Sequence, residues 1–253
     1  MYYLFPLRKD VAIKNLEIAF PKKTSKEIKK ILLNSYMHYG LLMFEFLRNS
    51  TKKTTLGINS INNQTEEILL KNESLIYMTA HLGNWEMSIP ILSRYKKMLV
   101  VVKEQSNSGG DRFFNKARKY KNVRLISKKG SKRIMLKSLY ENSILALASD
   151  QNAKKRGIYI DFFNKPASIP KGAGHFYALT KTRIVIGFCI LNEKLEYDFN
   201  LEYLDIQDNL EQKDEIIVKV SELYVEKLEK MIIKHPEQYF WFHKKWDKKI
   251  YDL

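Results

Sequence analysis

The stretch LIYMTAHLGNWEMSIPIL, residues 75–92, decides the fold. It opens with an apolar run of the length of one buried strand, then passes through His81, Gly83 and Asn84 into a second apolar segment with Glu86 near its start. Glycine suits a tight turn and asparagine caps helices, so the pattern predicts a strand, a turn and a helix N-terminus capped by Asn84. Working outward, MLVVVK (98–103), VRLI (123–126), ILALAS (144–149), IYIDFF (158–163) and IVIGFCI (184–190) read as further buried strands. Segments near 85–95, 110–120, 131–141 and 171–181 read as helices. Strands alternating with helices predict an α/β fold with a mainly parallel central sheet flanked by helices, and ligands expected at the carboxyl ends of the strands. EYDFNLEYL (196–204) alternates more cleanly and is expected as a half-exposed edge strand.

The N-terminal part predicts a helical cap on this core. Thr24 with Glu27 forms a capping box, and Ile28, Ile31, Leu32, Leu42, Met43 and Phe46 recur at helical spacing, so a helix is expected from about 25 to 48. Leu33, Met37, Leu41, Phe44 and Leu47 add a second apolar stripe. That width means burial on two sides or contact with a membrane, and burial is the expectation. A closing helix from about Lys213 to Lys234 carries Ile217, Val220, Tyr224, Leu228 and Met231 and ends before Pro236. No repeat, linker or composition shift divides the chain, so one domain over 1–253 is expected, with a helical segment to residue 50 and the α/β core from 51 onward.

Composition narrows the classes. The 253 residues are 45% hydrophobic and 12% aromatic with only 10 Gly and 6 Pro, which excludes disordered, collagen-like and low-complexity chains. A lone cysteine, Cys189, excludes an intramolecular disulfide and reads as a small buried hydrophobe, fitting a reducing, cytoplasmic compartment. The start MYYLFPLRKD has no signal-peptide pattern, and the longest uncharged run, Ile31 to Phe44, is too short and polar to span a bilayer. Lys plus Arg total 44 against 28 Asp plus Glu, a net charge of +16. The excess points to an anionic partner: nucleic acid, an anionic membrane surface, a phosphorylated lipid or an acidic carrier protein.

His81, at a strand end, can reach a substrate hydroxyl while Glu86, five residues on, contacts its other ring nitrogen, fixing the tautomer and stabilising the imidazolium. Plain helix capping by Glu86 accounts for the same spacing, and spacing alone leaves both open. A metal site has only two candidate ligands here, without the H-E-x-x-H face. The chain lacks a G-x-S-x-G elbow, a Walker loop and a G-x-G-x-x-G, which removes support for serine nucleophiles and nucleotide binding.

The segment HLGNWE resembles the hallmark motif of the lipid A late acyltransferases, the lauroyl and myristoyl transferases of Gram-negative envelope biosynthesis, within the wider H-x-x-x-x-D/E glycerolipid acyltransferase superfamily. The resemblance continues in NLEIAFP (15–21), the helix around Arg118, Asp150-Gln151, FFNKPASIPKG (162–172) and PEQYFWFHKKW (236–246), covering nearly the whole chain. It implies transfer of an acyl group from a thioester, on acyl carrier protein or acyl-CoA, to a hydroxyl of a phosphorylated glycolipid, with no cofactor or metal beyond that co-substrate and no covalent acyl-enzyme. His81 is then the general base and Glu86 its orienting acid. Arg118 is implied in phosphate or oxyanion contact, and Asp150 in placing Arg118 or the basic loop after it. Asn84, Gln151 and Lys171 are candidate substrate-binding positions, and Phe162 and Phe163 belong to a block that lines the acyl or acceptor side.

Several positions depart from the family pattern. Asp161 stands where proline is frequent, and Asn164 replaces glycine at a turn that asparagine tolerates. Lys244 and Lys245 replace arginines, keeping charge without bidentate geometry. Family members usually carry a transmembrane helix before the equivalent of Arg8, where this chain begins. Either the anchor is lacking or the start is trimmed; with this start as the native one, the resemblance implies peripheral attachment to the cytoplasmic face of the inner membrane, through amphipathic faces and the YFWFHKKW tail. Two rivals are weighed: an acyltransferase for another glycolipid or a lysophospholipid, and a non-catalytic basic module binding membrane or nucleic acid. The second lacks any helix-turn-helix spacing, zinc-finger cysteines or RNP motif, so no nucleic acid is expected.

Overall fold

A computed structural model describes residues 7–50, 58–102, 107–127, 131–206 and 212–252. The helices are α1 (Lys9–Ala19), α2 (Ser25–Ser50), α3 (Asn63–Leu70), α4 (Trp85–Leu92), α5 (Ser108–Ala117), α6 (Lys132–Ser138), α7 (Gly172–Thr180) and α8 (Lys213–Lys234). The strands are β1 (Ile58–Ile61), β2 (Leu75–Thr79), β3 (Lys97–Val102), β4 (Val123–Ser127), β5 (Ser143–Ala148), β6 (Ile158–Phe162), β7 (Lys165–Ile169), β8 (Ile184–Leu191) and β9 (Tyr197–Tyr203).

Seven strands form one sheet in the order β1-β9-β8-β2-β5-β3-β4. The β8, β2, β5, β3 and β4 neighbours all pair in parallel, β9 runs antiparallel to β8, and β1 is parallel to β9. This is the α/β architecture expected. Successive side chains of a strand point to opposite faces, and both faces of the central strands are buried. Ile76 and Met78 enter one core with α1, α2, α7 and α8, whereas Leu75 and Tyr77 enter a second core beneath α3 and α4. An unbroken apolar run such as LIYMT is what a strand covered on both sides requires.

The two-stranded unit departs from expectation. IYIDFF does not join the central sheet: β6 pairs antiparallel with β7 as a separate hairpin. Its burial alternates along Ile158–Phe162, so only one side faces the core. Phe163 and Asn164 turn the chain with φ of 51° and 55°, both left-handed, as a two-residue hairpin loop demands. The tolerance expected of Asn164 is used. The strand at 197–203 is half-exposed but not at the sheet edge, because β1 pairs along its outer side. The helix α1 falls within the helical segment expected to residue 50, whereas the short β1, α3 and β7 carry no clear sequence pattern.

The capping box forms: the Glu27 carboxylate accepts from the Thr24 N–H and hydroxyl, both at 2.8 Å. The second apolar stripe of α2 corrects the burial expectation. Ile28, Leu32, Leu42 and Phe46 are buried, but Met37 is 66% and Phe44 63% exposed, and Leu41 and Leu47 share that outer face. The helix has one partner-facing side and one solvent-facing apolar side. No described helix is long and apolar enough to cross a membrane. Residues 1–6, most of the expected leaderless start, lie outside the described residues.

Candidate active site

The site grows from the pairing of β2 with β5. Their parallel register sets Thr79 opposite Ala148. Two residues further along each chain this places His81 opposite Asp150, at the carboxyl ends where an α/β sheet presents its functional groups. His81 Nδ1 lies 2.8 Å from Asp150 Oδ1. The His81 side chain retains 23% exposure while that of Asp150 retains 3%, so the acid sits beneath the imidazole and the ring faces outward. Gln151 Nε2 lies 3.4 Å from His81 Nε2. A carboxylate accepts at Nδ1 and an amide donates toward Nε2, which selects the tautomer with the proton on Nδ1 and a lone pair on Nε2.

Electrostatics reinforce this arrangement. Burial disfavours the imidazolium of His81, but the charge and hydrogen bond of Asp150 outweigh it, helped by Glu86 and opposed by Arg118; the result lies above the ordinary 6.5. Burial likewise disfavours ionised Asp150, yet His81 and then Lys245 hold its carboxyl below the ordinary 3.8.

Glu86 has a different partner from the one expected. It stands in the first turn of α4 and accepts from Arg118 Nε at 2.8 Å and Nη2 at 2.5 Å. The Trp85 indole N–H donates to it at 3.1 Å. Its two oxygens are thus committed to a bidentate pair, and Asp150, not Glu86, occupies His81 Nδ1. The reason is the chain path: β5 runs directly beside β2 and sets Asp150 across from His81, whereas Glu86, in the first turn of α4, meets Arg118 at the end of α5. Asp150 correspondingly sets the imidazole rather than Arg118. Arg118 caps the end of α5 and packs over the Phe114 and Phe46 rings at 5.5 and 6.0 Å, part-buried among exposed Arg112, Lys116 and Lys119. Burial opposes its charge and Glu86 more than compensates, raising its pKa.

Asn84 caps α4 as expected, accepting from the Met87 N–H at 3.3 Å, and its amide donates to Glu45 of α2 at 2.9 Å. Buried there, it braces the turn. Gly83 has φ of +62°, and a Cβ there would meet the Cys189 carbonyl oxygen at 2.0 Å, so only glycine fits. Cys189 itself is buried, and burial raises its thiol pKa far above the reactive range.

Phe162 and Phe163 are buried in the core, with Phe162 against Trp246 and Phe163 against Phe20 and Trp241. They do not line an open site. Lys171 is exposed at the start of α7, and among the described residues no hydrogen bond joins it to His81 or Asp150. Its charge, with those of Lys132 and Lys213, assists burial in lowering the pKa of His175. No group of three or more His, Cys, Asp or Glu side chains suited to a metal occurs among the described residues.

The segment 236–246 is the part that sequence reasoning undervalued. The Phe240 N–H donates to the His81 carbonyl at 2.9 Å, and the Gly83 N–H donates to the Gln238 carbonyl at 2.9 Å. His243 Nε2 accepts from the Asn152 N–H at 3.1 Å, and the Asn152 amide donates to the Trp246 carbonyl at 3.0 Å. One strap therefore ties both strand ends that meet at the site. The signal available was its density of aromatic residues, which marks burial more than it marks a surface tail.

A parallel sheet with a His–Asp pair set across two strand ends, beside an Arg–Glu pair, defines an α/β enzyme-type site built around a positioned imidazole. The chain matches the family described as bacterial lipid A biosynthesis acyltransferase over residues 3–248, and it belongs to that family. It is an acyltransferase, as the resemblance implied. The chain is 19% identical over 244 residues to the lipid A biosynthesis palmitoleoyltransferase of Escherichia coli strain K12, covering 94% of this chain and 78% of the relative. It is equally similar, at 19% over 244 residues and the same coverage, to the lipid A biosynthesis acyltransferase of Shigella flexneri.

Proposed function

We propose that the protein transfers a fatty acyl group from an acyl thioester to a hydroxyl of a phosphorylated lipid A-type glycolipid, with His81 as general base. The observation that carries this reading is the imidazole itself: Nδ1 is held by buried Asp150 at 2.8 Å, while the His81 side chain keeps 23% exposure against 3% for Asp150. Nε2 takes the proton from the acceptor hydroxyl as the oxygen attacks the thioester carbonyl. The C–S bond then breaks, and the departing thiolate recovers the proton from the imidazolium. Asp150 stabilises that cation, replacing Glu86 in the orienting role. General-base help of this kind is worth about 10²–10⁴-fold. Arg118 and Glu86 form the neighbouring wall, and the pair leaves Arg118 Nη1 uninvolved, which suits a phosphate or oxyanion contact. Acyl carrier protein is the donor carrier that a +16 chain suits best, with acyl-CoA as the other thioester. The reading needs no cofactor beyond that thioester.

The outer face of α2 supports attachment to an anionic inner-membrane surface. Met37, Leu41, Phe44 and Leu47 are exposed, and Lys26, Lys29 and Lys30 precede them, also exposed. Such a helix lies in the membrane plane rather than across it. Vesicles containing phosphatidylglycerol should co-sediment the protein at low salt, and Met37→Glu with Phe44→Glu should weaken this; equal binding by the double variant would remove α2 from the contact.

The reaction is tested by mass spectrometry of a phosphorylated lipid A precursor incubated with acyl carrier protein thioesters and acyl-CoA. The expected result is a gain of one acyl group with wild type and none with His81→Ala. Equal acylation by both would end the general-base assignment.

A further inference from the structure

Lys245 is a cation almost removed from water, with 3% of its surface exposed. Its ammonium lies over the Phe162 ring, 4.9 Å from the centroid, and donates to the backbone carbonyl of Asp150. Lys244, its neighbour, is exposed and lies over Tyr251 instead. Of the two lysines that replace family arginines, Lys245 therefore turns inward toward Asp150.

Burying a carboxylate requires a compensating charge. When His81 is neutral, as a base must be, it supplies a hydrogen bond to Asp150 but no positive charge. His243 does not supply one either: burial drops its pKa to about 4, and its Nε2 is occupied as an acceptor from Asn152. Tyr39, Tyr224 and Tyr239 also sense the Asp150 charge and are uncharged partners, while Arg118 is neutralised by Glu86 beyond His81. Lys245 is the buried cation that faces Asp150 from the strap.

We infer that Lys245 is a positioning residue for the His81–Asp150 pair, fixing the Asp150 main chain and, through its charge, keeping the pair from taking up a proton at neutral pH. The inference rests on His81 acting as the base. A nearby positive charge lowers the proton affinity of a coupled pair whichever site binds the proton, so removing it raises the pH at which His81 becomes imidazolium. The buried ammonium is itself pushed down to about 8, so the support fades on the alkaline side.

The test is an NMR pH titration of isotope-labelled histidine in the full chain, with the His81 signal assigned by its loss in His81→Ala. Lys245→Gln keeps a donor for the Asp150 carbonyl and removes the charge; Lys245→Arg keeps both. The His81 midpoint should rise by roughly one unit in Lys245→Gln and stay at the wild-type value in Lys245→Arg. The acid limb of kcat/KM should move with it. An unmoved midpoint in folded Lys245→Gln overturns the inference. Wild type offers a second measurement that needs no variant. The His81 signals should respond as Lys245 titrates near its lowered value of about 8, and the absence of any response likewise overturns it. A His81 that responds to Lys245 in a protein that transfers no acyl group would refute the acyl-transfer reading and leave the coupling standing; transfer with an unresponsive His81 would do the reverse.

Discussion

The His81–Asp150 and Arg118–Glu86 pairs share one end of the sheet but are built in opposite ways. Asp150 is buried at a strand end and shares its proton affinity with an imidazole that faces outward. Glu86 rides on a short helix and binds a guanidinium with both oxygens. The first pair can move a proton. The second holds charge and shape. A carboxylate five residues from a histidine is not thereby its partner, since strand pairing outranks sequence distance.

The largest expected effect is at Asp150. Asp150→Asn keeps the shape but presents an amide to Nδ1, so kcat/KM should fall by about 10²–10⁴-fold with little change in KM. A loss no greater than that from Glu86→Gln would return the orienting role to Glu86. Glu86→Gln should cost less, about tenfold in kcat/KM, because Glu86 supports the imidazolium only through space and the unpaired Arg118 then opposes it. Its acid limb should shift to lower pH, the opposite direction from Lys245→Gln, and a shift upward would contradict the proposed field.

The smallest effect is on stability against pH. His81 has a folded pKa above its ordinary 6.5, so its contribution is present below 6.5 and lost as pH rises through the folded value. Asp150, held below its ordinary 3.8, contributes above 3.8 and loses this as pH falls through its folded value. Urea unfolding between about pH 6 and pH 8 should show the His81 slope in wild type and not in Asp150→Asn. The same slope in both would mean that the pair does not couple in solution.

The strand–turn–helix of 75–92 was legible because its signals are local: a continuous apolar run, a glycine at positive φ and an asparagine cap. IYIDFF misled because a five-residue strand of mixed apolar and polar groups does not reveal whether its partner is a sheet or a hairpin. The outer stripe of α2 misled because apolar periodicity reports which side chains avoid water and not what covers them. His81 was legible from its place after a strand. Its pairing with Asp150 was not, because 69 residues separate them and only the adjacency of β2 and β5 joins them. Lys245 was the least legible, since a lysine beside exposed Lys244 gives no sign of turning inward.

The strap that ties the two strand ends also sets an order of events in biosynthesis. Lys245 follows His81 by 245 − 81 = 164 residues. At roughly 5–20 residues per second, the ribosome takes on the order of ten to thirty seconds to supply the clamp after the histidine has been made. Until then His81, and Asp150 once it has been made, lack the Phe240 and Lys245 contacts. A nascent chain stalled before residue 236 should therefore carry His81 and Asp150 without the strap that ties their strand ends, so this end of the sheet is completed late in translation.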